Sequence, residues 1–232
     1  MSDKHVLILG IGNVLWADEG FGVRCIEEMN HQYTFPSNVL LMDGGTQGIY
    51  LTPHVQECDI LVIFDAIDYG LAPGEMKLIK DRDVPSFMGA KKLSLHQMGF
   101  QEVMFTADLL GDYPEKVLLI GVQPFEIEDF GGSLREGAKG QIEPSLNEAI
   151  SYLAGLGIVA TKRKEPLPDT DVLSPPELAL EQYETGRPSA ADACRVGDDR
   201  VLASDAIKFD PKPSPINNPM SVDVDYRGQY DK

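Results

Sequence analysis

Glu19, Asp65 and His96 are the side chains in this sequence best placed for chemistry. Glu19 closes the loop Gly10-Ile11-Gly12-Asn13-Val14-Leu15-Trp16-Ala17-Asp18-Glu19-Gly20, which follows the apolar run His5–Leu9. Asp65 directly follows Ile60–Phe64, and His96 precedes the helical stretch that begins near Gln97. A Glu, an Asp and a His form a mixed oxygen and nitrogen donor set suited to Ni, Zn or Fe. Three protein ligands leave coordination positions open, as a catalytic site requires and a structural site does not. Each residue also has a plainer role available: Glu19 complementing a helix dipole, Asp65 capping a turn, His96 starting a helix. His5, His31 and His54 have no comparable placement and are read as structural.

The loop begins like a dinucleotide cradle, since Gly10 and Gly12 open a G-x-G-x-x-G pattern, but Leu15 stands where its last glycine belongs. Asp18 and Glu19 would repel a pyrophosphate, so the loop suits a cation better. A dinucleotide-binding module is disfavoured, and no organic cofactor is expected.

The elements that must hold these residues read as an α/β domain. Val39–Met42, Ile60–Phe64 and Val117–Ile120 are short apolar runs suited to strands buried on both faces. Met76–Ile79 is more mixed and reads as an edge strand. Between them lie amphipathic stretches near 18–30, 48–56, 97–110 and 143–156; the first puts Phe21, Cys25 and Met29 on one face. This alternation predicts a doubly wound, mostly parallel sheet of about five strands with helices on both faces, a three-layer architecture like that of phosphorylase/hydrolase-type folds. Ligands in such sheets bind beyond the carboxyl ends of the strands, at the topological switch point. In a flavodoxin-like order the first and third strands are neighbours, roughly 4.8 Å apart, and Glu19 and Asp65 would flank one crevice.

The composition narrows the partners. The 232 residues carry a net charge of −17 and a pI near 4.5, which argues against nucleic acid or an anionic membrane surface. Three cysteines, Cys25, Cys58 and Cys194, share no metal-type spacing and suit a reducing compartment. No apolar run approaches the ~20 residues of a membrane span, and the start lacks a basic region followed by an apolar one. The expectation is a cytoplasmic protein with no membrane insertion. Residues 1–161 read as the folded domain and carry 10 basic and 23 acidic residues; 162–232 hold nine of the sixteen prolines and read as an irregular, flexible C-terminal extension.

The chain resembles the hydrogenase maturation endopeptidases, which remove a C-terminal peptide from the large-subunit precursor of nickel–iron hydrogenases. The resemblance rests on the G-x-G-N loop with D-E-G-F-G (Gly10 to Gly22), D-G-G-T-x-G (Asp43 to Gly48), D-A-x-D-x-G (from Asp65 to Gly70), S-L-H-Q (Ser94 to Gln97) and G-V-Q-P (Gly121 to Pro124). These cover most of residues 5–157 in the family's order; the segment beyond about 162 matches no motif. The resemblance implies that Glu19, Asp65 and His96 contact a metal, that the metal is nickel brought by the substrate, and that the partner is the large-subunit precursor. A bound metal can polarise the scissile carbonyl or activate a water. Alternatively the metal serves recognition, and an Asp acts as base. A non-cleaving nickel-site assembly chaperone for the same partner is the rival reading.

The remaining motifs supply expectations for the surroundings. Asp43 sits at the site's edge as a substrate or catalytic candidate, and Thr46 reads as an N-cap. Asp68 and Gly70 shape the loop after the third strand, Gln123 lines the cleft or is a surface polar group, and Phe130–Leu134 reads as a surface turn or a mobile cover. No G-x-S-x-G or H-E-x-x-H occurs, which removes the common serine and zinc peptidase arrangements. Cys25 and Cys58 fall on helix faces and are expected to be buried rather than reactive.

Overall fold

The computed structural model describes residues 4–88, 95–168 and 171–187, with side chains outside 86–98. In chain order the principal elements are β1 (Val6–Ile11), α1 (Phe21–Gln32), β2 (Tyr33–Thr34), β3 (Val39–Gly45), α2 (Thr52–Glu57), β4 (Ile60–Ala66) and β5 (Met76–Lys80). They continue with α3 (Asp83–Met88), α4 (Leu95–Leu110), β6 (Lys116–Val122), α5 (Glu136–Lys139), α6 (Ile142–Gly155), β7 (Thr161–Lys162) and α7 (Leu180–Gly186). Five strands form one sheet in the order β3-β1-β4-β6-β5, parallel except for β5. The expected edge strand is therefore the antiparallel one.

Side chains on a strand alternate between faces, and this alternation builds two cores from the same strands. Val6 and Ile8 of β1, with Ile60, Val62 and Phe64 of β4, pack beneath α1 and α6 alongside Phe21, Cys25, Ile26 and Met29. Leu7, Leu9, Leu61 and Ile63 face the other way, onto Leu51, Val55, Phe100 and Met104 of the α2 and α4 side. Every residue of β1 and β4 is buried, as strands covered by helices on both faces require. Cys25 and Cys58 are buried and unpaired, and burial pushes both thiols up, Cys58 to about 12. Neither is a ready nucleophile.

The boundary expected at residue 161 is not where packing ends. β7 pairs antiparallel with β2, and the chain then runs back over α1. Asn30 Nδ2 donates to the Asp171 carbonyl, Arg24 Nη1 to the Leu178 carbonyl, and Lys139 pairs with Glu184 at 2.7 Å. The first compact unit continues past residue 161 and includes the described residues up to 187. Residues 163–168 and 171–187 are held largely by polar contacts, several of them to carbonyls, which leave no apolar period in the sequence. Among the described residues, no helix is long and apolar enough to cross a membrane.

Candidate active site

Three glycines bring the first helix down onto the sheet. A Cβ on Gly22 would lie 2.1 Å from the Phe64 carbonyl and 2.3 Å from that of Ile11; one on Gly10 would lie 2.3 Å from the Gly22 carbonyl. The first turn of α1 therefore rests directly over the junction of β1 and β4. Gly12 has φ +141 and presses against the backbone of Glu19, where a Cβ would come within 1.9 Å of the Glu19 carbonyl. That carbonyl accepts from Asn13 N at 3.1 Å. The glycines serve close backbone approach, and they hold Glu19 over the β1–β4 crevice rather than cradling phosphate.

Asp65 lies one residue beyond Phe64, which is registered against Gly10, and its side chain is fully buried. On the opposite flank of β1, Asp43 is registered against the same Gly10. The order Asp43, β1 with its Glu19 loop, Asp65 thus runs across the carboxyl end of three parallel strands. His96 belongs to the first turn of α4; its side chain, like the residue Ser94 before it, lies outside the described set. Among the described residues no three His, Cys, Asp or Glu side chains gather closely enough to hold a metal.

Asp43 is half-buried. Its Oδ1 accepts from Gly45 N at 2.9 Å, and its Oδ2 from Ser174 Oγ at 3.1 Å. Burial pushes its carboxyl up; the bonds from Ser174 and Gly45 oppose that rise without cancelling it. Thr46, expected as an N-cap, is exposed; the turn Gly48–Leu51 has Gln47 at its N-cap position, with no side-chain cap. Asp43 instead organises this turn through Gly45.

Asp18 departs most from its sequence reading. Far from offering a second carboxylate to a cation, it is fully buried. Its Oδ2 accepts from Phe125 N at 2.8 Å and Glu126 N at 3.0 Å, and its Oδ1 from Arg135 N at 2.7 Å. It clasps the loop after β6 to the Glu19 loop. Gln123 plays the same part for the loop after β4: its Oε1 accepts from Tyr69 N and Leu71 N, and its Nε2 donates to Asp68 Oδ1 at 2.9 Å. The D-A-x-D-x-G and G-V-Q-P motifs therefore form one unit. Phe130–Leu134 is tied rather than free: Gly131 N donates to the Leu15 carbonyl at 2.7 Å, and the Phe130 ring packs on Trp16 with centroids 5.1 Å apart. Sequence reading missed these clasps because a buried acceptor of backbone N–H groups carries no periodic signal.

A family model described as hydrogenase maturation protease matches residues 23–152. The chain belongs to the hydrogenase maturation protease family. The hydrogenase expression/formation protein HupD of Thiocapsa roseopersicina is 57% identical over 203 residues, covering 88% of this chain and 92% of that protein. HoxM of Azotobacter vinelandii is 56% identical, covering 90% and 100%. The solved hydrogenase maturating endopeptidase HybD from Escherichia coli superposes with a TM-score of 0.65 at 36% identity, covering 68% of this chain and 98% of that one. As a hydrogenase maturation protease the chain is an endopeptidase, and the mostly parallel five-stranded fold is the one its solved relatives share. The E. coli structure is almost used up in matching 68% of this chain, so a long segment of the present protein has no counterpart there.

Proposed function

We propose that this endopeptidase is metal-directed and removes the C-terminal peptide of the nickel-loaded large-subunit precursor of a nickel–iron hydrogenase. The observation that carries the reading is the placement of a fully buried carboxylate, Asp65, at the end of β4 beside the Glu19 loop of β1. A fully buried carboxylate favours a nearby cation, because a positive charge offsets the cost of its desolvation. Nickel would arrive as part of the substrate. Glu19, Asp65 and His96 would supply its protease-side donors, and thiolates of the precursor would suit the rest of its shell.

Asp43 would take the proton of the attacking water. Burial raises its carboxyl toward the operating range of a general base, and its two hydrogen bonds leave lone pairs on both oxygens. In this account the metal directs the cut and the carboxylate performs the proton transfer. Mass spectrometry of nickel-loaded precursor incubated with the purified protein tests it. Loss of a C-terminal peptide from the precursor is expected; an unchanged precursor mass would overturn the assignment.

A further inference from the structure

A cleft of about 760 Å³ lies between the outer face of α1, the start of α6 and residues 172–184. That is within the size range of ligand-binding clefts. Ser174 forms part of its wall and donates to Asp43 at the carboxyl end of β3, so the cleft adjoins the end of the sheet where cleavage would occur.

The charges in the cleft are unevenly satisfied. Arg24 is held by Glu27 at 2.8 Å, and Lys139 by Glu136 and Glu184. Glu28 and Glu143 accept only from the neutral amide of Gln32, and no cation among the described residues pairs with them or with Glu181. The guanidinium of Arg24 is also incompletely satisfied. Arg24 is 3% exposed; its Nη1 donates to Glu27 and to the Leu178 carbonyl, while its Nε is buried without an acceptor. An unmet buried donor is costly, and this one lies in the wall of an open cleft. The acceptor that the same guanidinium already takes from residue 178 is a peptide carbonyl.

We infer that this cleft binds an extended, basic stretch of the precursor polypeptide. Lysine or arginine side chains of the bound peptide meet Glu28, Glu143 and Glu181, and a small shift of the Arg24 side chain would bring its buried Nε to a carbonyl of that peptide. The inference rests on the precursor being the substrate. It assigns residues 172–184 a role in holding the substrate.

The test uses the full chain, the nickel-loaded precursor, and the triple variant Glu28→Gln, Glu143→Gln, Glu181→Gln. A control neutralises the exposed Glu57, Glu115 and Glu148, which lie outside the cleft. Precursor binding is read by calorimetry and cleavage by steady-state kinetics, each at low and high salt. Rim charges act on association and its salt dependence, so the triple variant should weaken binding about tenfold at low salt and flatten the salt dependence. The loss should fall on KM rather than kcat, and the control should match the parent. Wild-type affinity and salt dependence in the triple variant, or an equal loss in the control, would overturn the inference. A parent that binds through the cleft without cutting would sink the proposed activity alone; one that cuts with cleft-independent binding would sink the cleft alone. Proteolytic protection of residues 188–232 that vanishes in the triple variant, with KM unchanged, would identify the occupant as this chain's own tail and overturn it too.

Discussion

Ser174 Oγ donates to Asp43 Oδ2 at 3.1 Å across 131 positions of sequence. A residue from the proline-rich segment thereby reaches a carboxylate at the working end of the sheet. With Gly45 N it opposes the upward push that burial gives the Asp43 carboxyl.

Removing that hydroxyl should move Asp43 further up. In Ser174→Ala the acid limb of the kcat/KM pH profile should shift to higher pH, while Ser174→Thr, which keeps a hydroxyl, should restore it. The linked stability effect has a definite sign. A carboxyl raised in the folded state contributes stability below its ordinary pKa, and that contribution is lost as pH rises through the raised value. Asp43→Asn cannot ionise, so its stability relative to the parent should improve as pH rises from the ordinary carboxylate range through the raised value. Urea unfolding at a series of pH values checks this.

Asp18 and Glu19 are adjacent yet should behave oppositely. Asp18→Ala strands three backbone N–H groups, those of Phe125, Glu126 and Arg135, and should cost about 3 kcal/mol of unfolding free energy. Glu19→Gln should leave the unfolding curve in place and abolish cleavage. Denaturation and activity measured on both variants separate the clasp from the ligand.

The framework was legible because strands covered on both faces announce themselves as apolar runs. The strands Val6–Ile11, Ile60–Ala66 and Lys116–Val122 are each built around such a run, and the neighbouring of β1 and β4 followed from topology. The placements of Asp65 and of the Glu19 loop were legible for the same reason. Asp18 was misread because its type suits a cation as well as it suits three peptide N–H groups, and its partners lie 107 to 117 positions away. Residues 171–187 escaped because polar contacts to carbonyls leave no hydrophobic period.

Gly22 allows no side chain. With Phe64 O at 2.1 Å and Ile11 O at 2.3 Å from a modest added methyl, Gly22→Ala must lift α1 off the β1–β4 junction. It should destabilise by about 1–3 kcal/mol, as overpacking does, and displace Glu19 as well. Chemical denaturation together with cleavage would show both losses in one variant; a parent-like unfolding midpoint would contradict the packing.

Truncation after Thr161 should do more than remove a tail. It deletes the carbonyl that Arg24 Nη1 donates to, the Glu184 that Lys139 pairs with and the hydroxyl on Asp43. A lowered Tm is expected, whereas truncation after Arg187 keeps all three contacts and should keep the Tm. Equal melting of the two truncations would mean that residues 162–187 add nothing to the fold.

Nickel in the precursor is proposed to license the cut. The direct measurement is the cleavage rate of nickel-loaded and nickel-free precursor at equal concentration, with parent protease that has been stripped of metal. Rapid cleavage of the loaded form and none of the empty one is expected, because only the loaded form brings the cation that Glu19, Asp65 and His96 would bind. Equal rates for the two forms would contradict it.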